Sequence, residues 1–423
     1  MRYNLFSLLL LSMCCFFAAC DSNNNEPEDP EIPFKKHAAH TLLLYMNADS
    51  SLDSDLQLNI NDAHKAIKDS LNAGSLNLVV FHDYRTPKLY WVHKNSRNGL
   101  DTIPLKEYTA PVDACSKEVL KEVLDITFKQ NFSDSKYKGL VFGGHALGWT
   151  PSKNYKEPVA STRQIGIDER TGVSGYTGYM ELWDFCDALK ETNTKLNYLF
   201  FDACNMGNIE VAYQLRGLTD YMVGAPTEIQ GKGFPYKTVI KQLGSCTNES
   251  QFEHALDVCI DAYYSYWTMN SGASISLIDV RNVTQFYNDF YTLLNNSPQL
   301  ERLQDLLANG SYHEVSNWQS NFQQFGRDYA GSQYYFYDLG QFINYLDPDN
   351  KYGQEKALIS LYNLVPINYY THNFYEISIK ECSGISISYP QSLKYLRTSR
   401  NKELMSAYRK IDWGAEMLRV LNY

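Results

Sequence analysis

The sequence predicts an α/β fold in which a mostly parallel central sheet lies between two layers of helices. Short, almost wholly apolar runs recur along the chain, and such runs are typical of parallel strands buried on both faces. Segments with the apolar spacing of helices separate several of these runs, which is the order expected of a sheet with crossover helices. The 423 residues exceed one ordinary domain, so either one large domain or two medium domains are expected.

The predicted strands follow one another from residue 40 to residue 279, and two of the predicted helices lie beyond them. Strands are predicted at residues 40–46, 76–82, 88–93, 139–145, 197–204, 221–225 and 273–279. Helices are predicted after the first strand, ending near residue 72, and at residues 118–130, 180–191, 209–216, 283–294 and 403–421. Asn208 is placed to cap the helix at 209–216, and Gly217 can end it.

Composition divides the chain into four segments. Residues 1–19 have the charged start and short apolar core of a lipoprotein signal peptide, with an ordinary secretory signal as the alternative. Cys20 is the expected lipidation site. Residues 20–36 are acidic and rich in proline, which predicts a flexible tether and resembles the export signal of surface lipoproteins in Bacteroidetes. Residues 37–279 form the predicted α/β domain, and residues 280–423 form an accessory domain. We expect an exported monomer that is lipid-anchored to the outer membrane and faces the cell surface.

Charge and cysteine spacing exclude two classes of function. The formal net charge of −10 leaves no basic face for phosphates, so nucleic acid is not an expected partner. The cysteines show no CxxC pairing, and no metal site is predicted.

A thiol and an imidazole end two of the predicted parallel strands. Because active sites of open α/β sheets gather beyond the carboxyl ends of their strands, Cys204 and His145 are candidates for a nucleophile–base pair. Backbone N–H groups at this strand-to-helix junction, together with an imidazolium, would favour the thiolate. The N–H groups of Gly144 and Cys204 are candidate oxyanion donors. His82 also ends a predicted strand and is the alternative candidate for the base. The non-catalytic interpretation is that Cys204 is a buried structural cysteine and His145 a histidine with satisfied hydrogen bonds.

The segments around these two residues resemble the clostripain family of cysteine peptidases, which belongs to the caspase-like clan. They read GHALGW at residues 144–149 and DACNMG at residues 202–207. Ala146 stands where the family pattern has glycine. Further similarity lies in YMNAD at 45–49, GKGFPY at 231–236 and GISISYP at 384–390.

The resemblance implies a caspase-like α/β/α sandwich and a cysteine endopeptidase. Cys204 and His145 would act as a catalytic dyad through a thioester, and the partner would be a protein or peptide with Arg or Lys before the scissile bond. Asp202 would bind that basic side chain; strand periodicity points it to the same face as Cys204. No cofactor would be required. Calcium is possible, because the resemblance to the clostripain family implies calcium dependence, but the sequence contains no EF-hand loop.

Relatives are often activated by cutting themselves in the loop between the dyad residues. Here that loop runs from residue 151 to residue 177, and an uncut surface loop is the alternative. The candidate sites of self-cleavage are its basic residues, Lys153, Lys156, Arg163 and Arg170.

A non-catalytic function is the competing hypothesis. The 33 tyrosines suit a surface lipoprotein that binds glycans or peptides on a peptidase-like fold.

Overall fold

The computed structural model describes residues 38–48, 51–72, 74–95, 97–152, 165–169, 177–327, 334–375, 377–396 and 401–423. The predicted signal peptide, the tether and Cys20 lie outside these residues. Residues 37–423 form one compact unit.

The described strands are short to medium in length. In chain order they are β1 His40–Asn47, β2 Asn77–Asp83, β3 Lys88–Lys94, β4 Leu100–Glu107, β5 Tyr137–Gly143, β6 Ile167–Asp168, β7 Gly178–Tyr179, β8 Leu196–Asp202, β9 Thr219–Gly224, β10 Ser274–Asp279, β11 Gln324–Arg327, β12 Tyr334–Asp338, β13 Ile367–Tyr370, β14 Asn373–Phe374, β15 Ile377–Ser378 and β16 Ser386–Ile387.

The described helices alternate with these strands. They are α1 Asp53–Ser70, α2 Lys117–Asp125, α3 Leu182–Glu191, α4 Ile209–Gln214, α5 Tyr236–Gly244, α6 Glu249–Thr268, α7 Val283–Asn296, α8 Leu300–Ala308, α9 Tyr312–Gln319, α10 Leu339–Leu346, α11 Gln354–Leu364, α12 Pro390–Tyr395, α13 Asn401–Tyr408 and α14 Asp412–Val420. A π-helical turn, Ile126–Asn131, extends α2, and a 3₁₀ turn, Val280–Asn282, precedes α7.

The large sheet has nine strands in the order β13-β10-β9-β8-β5-β1-β2-β3-β4. The five central strands, β9, β8, β5, β1 and β2, are parallel to one another. The two strands added at each edge are antiparallel to their neighbours. The predicted parallel core is therefore confirmed, and strands β1, β5 and β8 end at the same edge of it.

Helices cover both faces of the sheet because side chains of the central strands alternate between two apolar surfaces. Leu42 and Leu44 of β1 pack in one cluster with residues of α1, α5 and α6. On the other face, the ring of Tyr45 stacks on Phe142 at 5.7 Å, and Phe142 meets Phe185 of α3 edge to face at 5.9 Å. All five side chains are fully buried.

The C-terminal region contributes to the large sheet, which the sequence did not predict. β13 pairs with β10 in antiparallel register, Ser274 opposite Tyr370. The sheet therefore continues across the predicted boundary between residues 279 and 280. The division into an α/β domain and an accessory domain at this boundary stays a prediction.

The single helix predicted at 403–421 is wrong, because two helices, α13 and α14, occupy this range. Contacts from a distant part of the chain begin the second one. The side chain of Gln214 accepts a hydrogen bond from the Asp412 N–H at 3.1 Å, and Arg216 forms an ion pair with the Asp412 carboxylate. In a continuous helix, the Asp412 N–H would donate to a carbonyl within that helix. Here it donates to Gln214 instead, and a new helix begins at Asp412.

Among the described residues, no helix is both long enough and apolar enough to cross a lipid bilayer.

Candidate active site

His145 and Cys204 lie beyond the ends of two neighbouring parallel strands. In the register of β5 with β8, Gly143 is opposite Asp202, and the Gly144 N–H donates to the Asp202 carbonyl at 3.2 Å. His145 and Cys204 each follow this last strand pair by two residues, and both side chains are partly exposed. The structure thus brings the two predicted residues to one solvent-accessible edge of the sheet.

Contacts on both sides hold the loop that carries His145. Nε2 of His145 lies 2.9 Å from Oγ of Ser51, which precedes α1. The His145 carbonyl accepts from the Gly166 N–H at 2.7 Å, and Ala146 forms a β-bridge with Ile165. Burial lowers the pKa of His145 below its ordinary value of 6.5, so the imidazole is neutral near pH 7.

Cys204 lies in a turn between β8 and α4. The Ile229 N–H donates to its sulfur at 3.3 Å. Burial, followed by the charge of Glu228, raises the pKa of the Cys204 thiol to about 12. The expected thiolate is therefore not the resting form in this structure: α4 begins only at Ile209, and the imidazole of His145 is neutral.

The two predicted oxyanion donors differ in their hydrogen bonding. The Gly144 N–H is already used in the bond to Asp202 that closes the strand pair. No backbone partner of the Cys204 N–H is found within the described residues. Cys204 is therefore the donor that could receive a new acceptor without breaking a bond.

Asp202 is a buried carboxylate with one unsatisfied oxygen. Its side chain is 6% exposed, Tyr236 donates to Oδ2 at 2.8 Å, and Oδ1 has no hydrogen-bond partner in the described part of the protein. Burial raises its pKa to about 7, while the hydrogen bond from Tyr236 and the nearby backbone of Phe234 lower it. Gly233 has φ of +59°, and any Cβ there would clash with the carboxylate.

The turn beside Asp202 is fixed by the C-terminal region. The Gly233 N–H donates to the Gln230 carbonyl at 2.7 Å. The Gln230 side chain donates to Ser271 Oγ at 2.6 Å and accepts from the Tyr375 hydroxyl. Motif reading singled out residues 231–236 without assigning them a role; the structure makes them the wall around Asp202.

Other site predictions have different outcomes. The candidate cleavage sites Lys153, Lys156, Arg163 and Arg170 lie outside the described residues. His82, the rival base, is the last residue but one of β2, which is separated from β5 by β1. Its ring stacks on Tyr84.

Sequence reasoning missed three residues of this site: Ser51, Glu228 and Tyr375. Ser51 lies just past the YMNAD segment and the other two lie outside every quoted motif, so no local signal marked them.

The described part of the chain contains neither a disulfide nor a group of residues arranged to bind a metal. Cys115, Cys186, Cys204, Cys246, Cys259 and Cys382 form no disulfide. No group of three or more His, Cys, Asp or Glu residues is arranged there to hold a metal.

Comparison with known proteins gives a family and a fold. The sequence profile described as the clostripain family matches residues 44–417. Clostripain of Hathewaya histolytica is 28% identical over 256 residues, covering 54% of this chain and 48% of that protein. The chain thus spans about half the length of the curated relative it matches.

Two solved structures are similar over almost their whole length. A secreted cysteine protease of Bacteroides thetaiotaomicron, bound to an irreversible peptide inhibitor, is 21% identical, with a TM-score of 0.69 and coverage of 91% of this chain and 99% of that one. An inactive zymogen protease of Parabacteroides distasonis is 22% identical, with a TM-score of 0.69 and coverage of 90% and 99%. These likenesses confirm the predicted caspase-like α/β/α fold.

Proposed function

Because this chain belongs to the clostripain family of cysteine peptidases, we propose that it cleaves peptide bonds after Arg or Lys with Cys204 as nucleophile and His145 as general base and acid. The observation that carries the proposal is the buried Asp202 carboxylate, with Oδ1 unpartnered, two residues before the partly exposed Cys204.

The reaction begins from a neutral pair. His145 takes the thiol proton as the Cys204 sulfur attacks the carbonyl carbon, since neither group is charged at rest. The Ile229 N–H, 3.3 Å from the sulfur, stabilises the negative charge that develops there. The imidazolium then gives its proton to the leaving amine, which leaves a thioester. A water molecule, deprotonated by His145, attacks the thioester and restores the thiol.

The tetrahedral oxyanion is held by backbone donors. The Cys204 N–H supplies the first hydrogen bond. The Gly144 N–H supplies a second one if its 3.2 Å bond to the Asp202 carbonyl is shared with the substrate.

Asp202 binds the basic side chain that precedes the scissile bond. A buried carboxylate costs free energy unless it is paired, and the approach of a cation favours its ionised form. The Arg or Lys side chain of the substrate therefore supplies the missing partner of Oδ1.

Fluorogenic peptides with Arg or Lys before the scissile bond test this function under reducing conditions. We expect the native protein to cleave them, and Cys204→Ala and His145→Ala to lose at least ~1,000-fold in rate. Cys246→Ala and His82→Ala are matched controls that keep the activity. Equal rates from the native protein and Cys204→Ala, or none from either, would leave the non-catalytic binding function. The same assay with EGTA or added calcium tests calcium dependence.

The chain also activates itself by cutting in the loop between His145 and Cys204. Support comes from two described positions in the loop: Ile165 is bridged to Ala146, beside His145, and the Ser152 N–H donates to Glu181 at 2.9 Å. A relative solved as an inactive zymogen is consistent with such a step. The cut follows Lys153, Lys156, Arg163 or Arg170. Purified Cys204→Ala should remain one polypeptide where the native protein gives two; two fragments from this variant would refute self-processing.

We further propose that Cys20 carries a lipid that holds the folded part at the outer membrane. Metabolic labelling with an alkynyl fatty acid should mark the native protein and not Cys20→Ala. Digestion of intact cells by an added protease should show whether the protein faces outward.

A further inference from the structure

We propose that Asp55, in the first turn of α1, is a second carboxylate of the pocket that contains Asp202, and that it makes the pocket prefer Arg over Lys. This inference rests on the peptidase function proposed above and extends it to the choice between the two basic side chains.

Both carboxylates lie against the same tight turn. The Gly233 N–H closes this turn on the Gln230 carbonyl at 2.7 Å. A Cβ at Gly231 would come within 2.8 Å of Asp55 Oδ2, and a Cβ at Gly233 would clash with Asp202. Two glycines spaced one residue apart therefore leave room for two carboxylates, one on each side of Lys232.

The two acids also interact electrostatically. The charge of Asp55 raises the pKa of Asp202, after burial as the larger cause. Asp55 is half-buried, and within the described residues it has no hydrogen-bond or ion-pair partner. Two neighbouring acids without a cation between them are unfavourable, and a substrate cation would relieve both.

The free oxygens of the pocket distinguish guanidinium from ammonium. Asp202 already accepts from Tyr236 at Oδ2, so Oδ1 is its one unpartnered oxygen, and Asp202 alone does not offer a symmetrical two-oxygen bond. A guanidinium has five N–H donors in a fixed plane, and donors left unpaired in a buried site are costly. Asp55 accepts hydrogen bonds from the guanidinium N–H groups that Asp202 does not reach. An ammonium is a compact charge with three donors and needs the second carboxylate less.

A structural role alone is the alternative for Asp55. An acidic residue in the first turn of a helix is stabilising wherever the helix lies. Asp53 occupies the same turn of α1, so Asp53→Asn removes an equivalent charge from the helix start.

The test compares kcat/KM for peptides that differ only in Arg, Lys or citrulline before the scissile bond. For Asp55→Asn we expect the rate on the Arg peptide to fall by ~10-fold or more and that on the Lys peptide by less than ~3-fold, so that the Arg-to-Lys ratio drops. Asp53→Asn should leave the ratio unchanged. Asp55→Ser, which suits a helix start, repeats the measurement if the first variant is poorly folded.

The outcomes separate the two proposals. An unchanged Arg-to-Lys ratio in folded Asp55 variants, with a native protein that cleaves basic peptides, overturns the role of Asp55 and leaves the peptidase function standing. A native protein that cleaves the citrulline peptide as fast as the Arg peptide overturns the specificity for basic residues itself, and the role of Asp55 with it.

Discussion

Oγ of Ser51 lies 2.9 Å from Nε2 of His145, although 94 residues separate them in the chain. With Nε2 bonded to Ser51, Nδ1 is the ring nitrogen left to accept a proton. That requires the tautomer in which Nε2–H donates to the serine oxygen. We therefore expect Ser51 to be a positioning residue: its hydroxyl limits rotation of the ring and, in that tautomer, accepts the Nε2 proton.

Ser51→Ala is expected to lower kcat by ~3- to 10-fold with little change in KM, because the ring samples unproductive orientations while the substrate pocket is intact. Ser51→Thr keeps the hydroxyl and should recover most of the rate. Steady-state kinetics on an Arg peptide separate the two parameters. A change confined to KM, or a threonine variant as slow as alanine, would contradict a role in orienting His145.

The high pKa of the Cys204 thiol has a charged contributor that can be removed. Burial is the largest cause, and Glu228 is the next. Glu228→Gln should therefore lower the pKa of Cys204, by about 1 unit or less, and speed alkylation by iodoacetamide at pH 8 by up to about tenfold. Glu253→Gln, an exposed change on α6, is the matched control. Alkylation rates measured from pH 6 to 10 compare the thiolate fractions of the variants, because this range lies below the pKa of the thiol. Identical profiles for both variants would show that Glu228 has no influence.

The sequence was informative about this site wherever the functional residue and its structural signal are neighbours in the chain. Asp202 and Cys204 share one strand end and one motif, and His145 ends a second apolar run, so their placement on one sheet edge followed from strand periodicity. Gly233 was quoted within a motif, yet its reason for being glycine lies in the side chain of Asp202, which packs against it only in the folded protein.

Contacts between distant segments were beyond such reasoning. Tyr375 reaches Gln230 across 145 residues. The antiparallel pairing of β13 with β10 likewise depends on packing of the C-terminal region, since nothing in the residues of β13 specifies which edge it joins. The resting charge state of Cys204 is also a tertiary property, set by burial and by Glu228.

A pair of glycines distinguishes backbone strain from contact with Asp202. Gly233 and Gly217 have φ of +59° and +76°, but a Cβ at Gly217 would meet nothing within 4 Å. Alanine at either position should cost about 1 kcal/mol of stability. We expect only Gly233→Ala to lower kcat/KM on Arg peptides, by ~10-fold or more, because the Asp202 carboxylate must move away from the new methyl group.

Thermal unfolding and kinetics on the same two variants test this prediction. Gly217→Ala serves as the control for strain, because Gly217 follows α4 away from the turn at 230–233. Equal loss of activity in both variants would mean that strain alone acts. Full activity of Gly233→Ala would show that the close approach to Asp202 is unimportant.

Asp202 should make the protein less stable as the pH rises. Its pKa is about 7 in the folded protein, against an ordinary 3.8, so between these values the unfolded chain has lost the proton that the folded protein keeps. The free energy of unfolding therefore falls with increasing pH from about 4 to about 7, by at most about 4 kcal/mol at about 1.4 kcal/mol per pKa unit. Asp202→Asn removes the contribution of Asp202, whereas Glu210 and Asp338, whose pKa values burial raises to about 8 and about 6, keep theirs. We expect Asp202→Asn to be more stable than the native protein at pH 8 while failing on Arg peptides. Urea unfolding at pH 5 and pH 8 measures the effect, with the exposed Asp134→Asn as control.

The contrary outcome is that Asp202→Asn and the native protein lose the same stability between the two pH values. The Asp202 carboxylate would then already be ionised in the folded state. A cation other than the substrate would have to stabilise that charge.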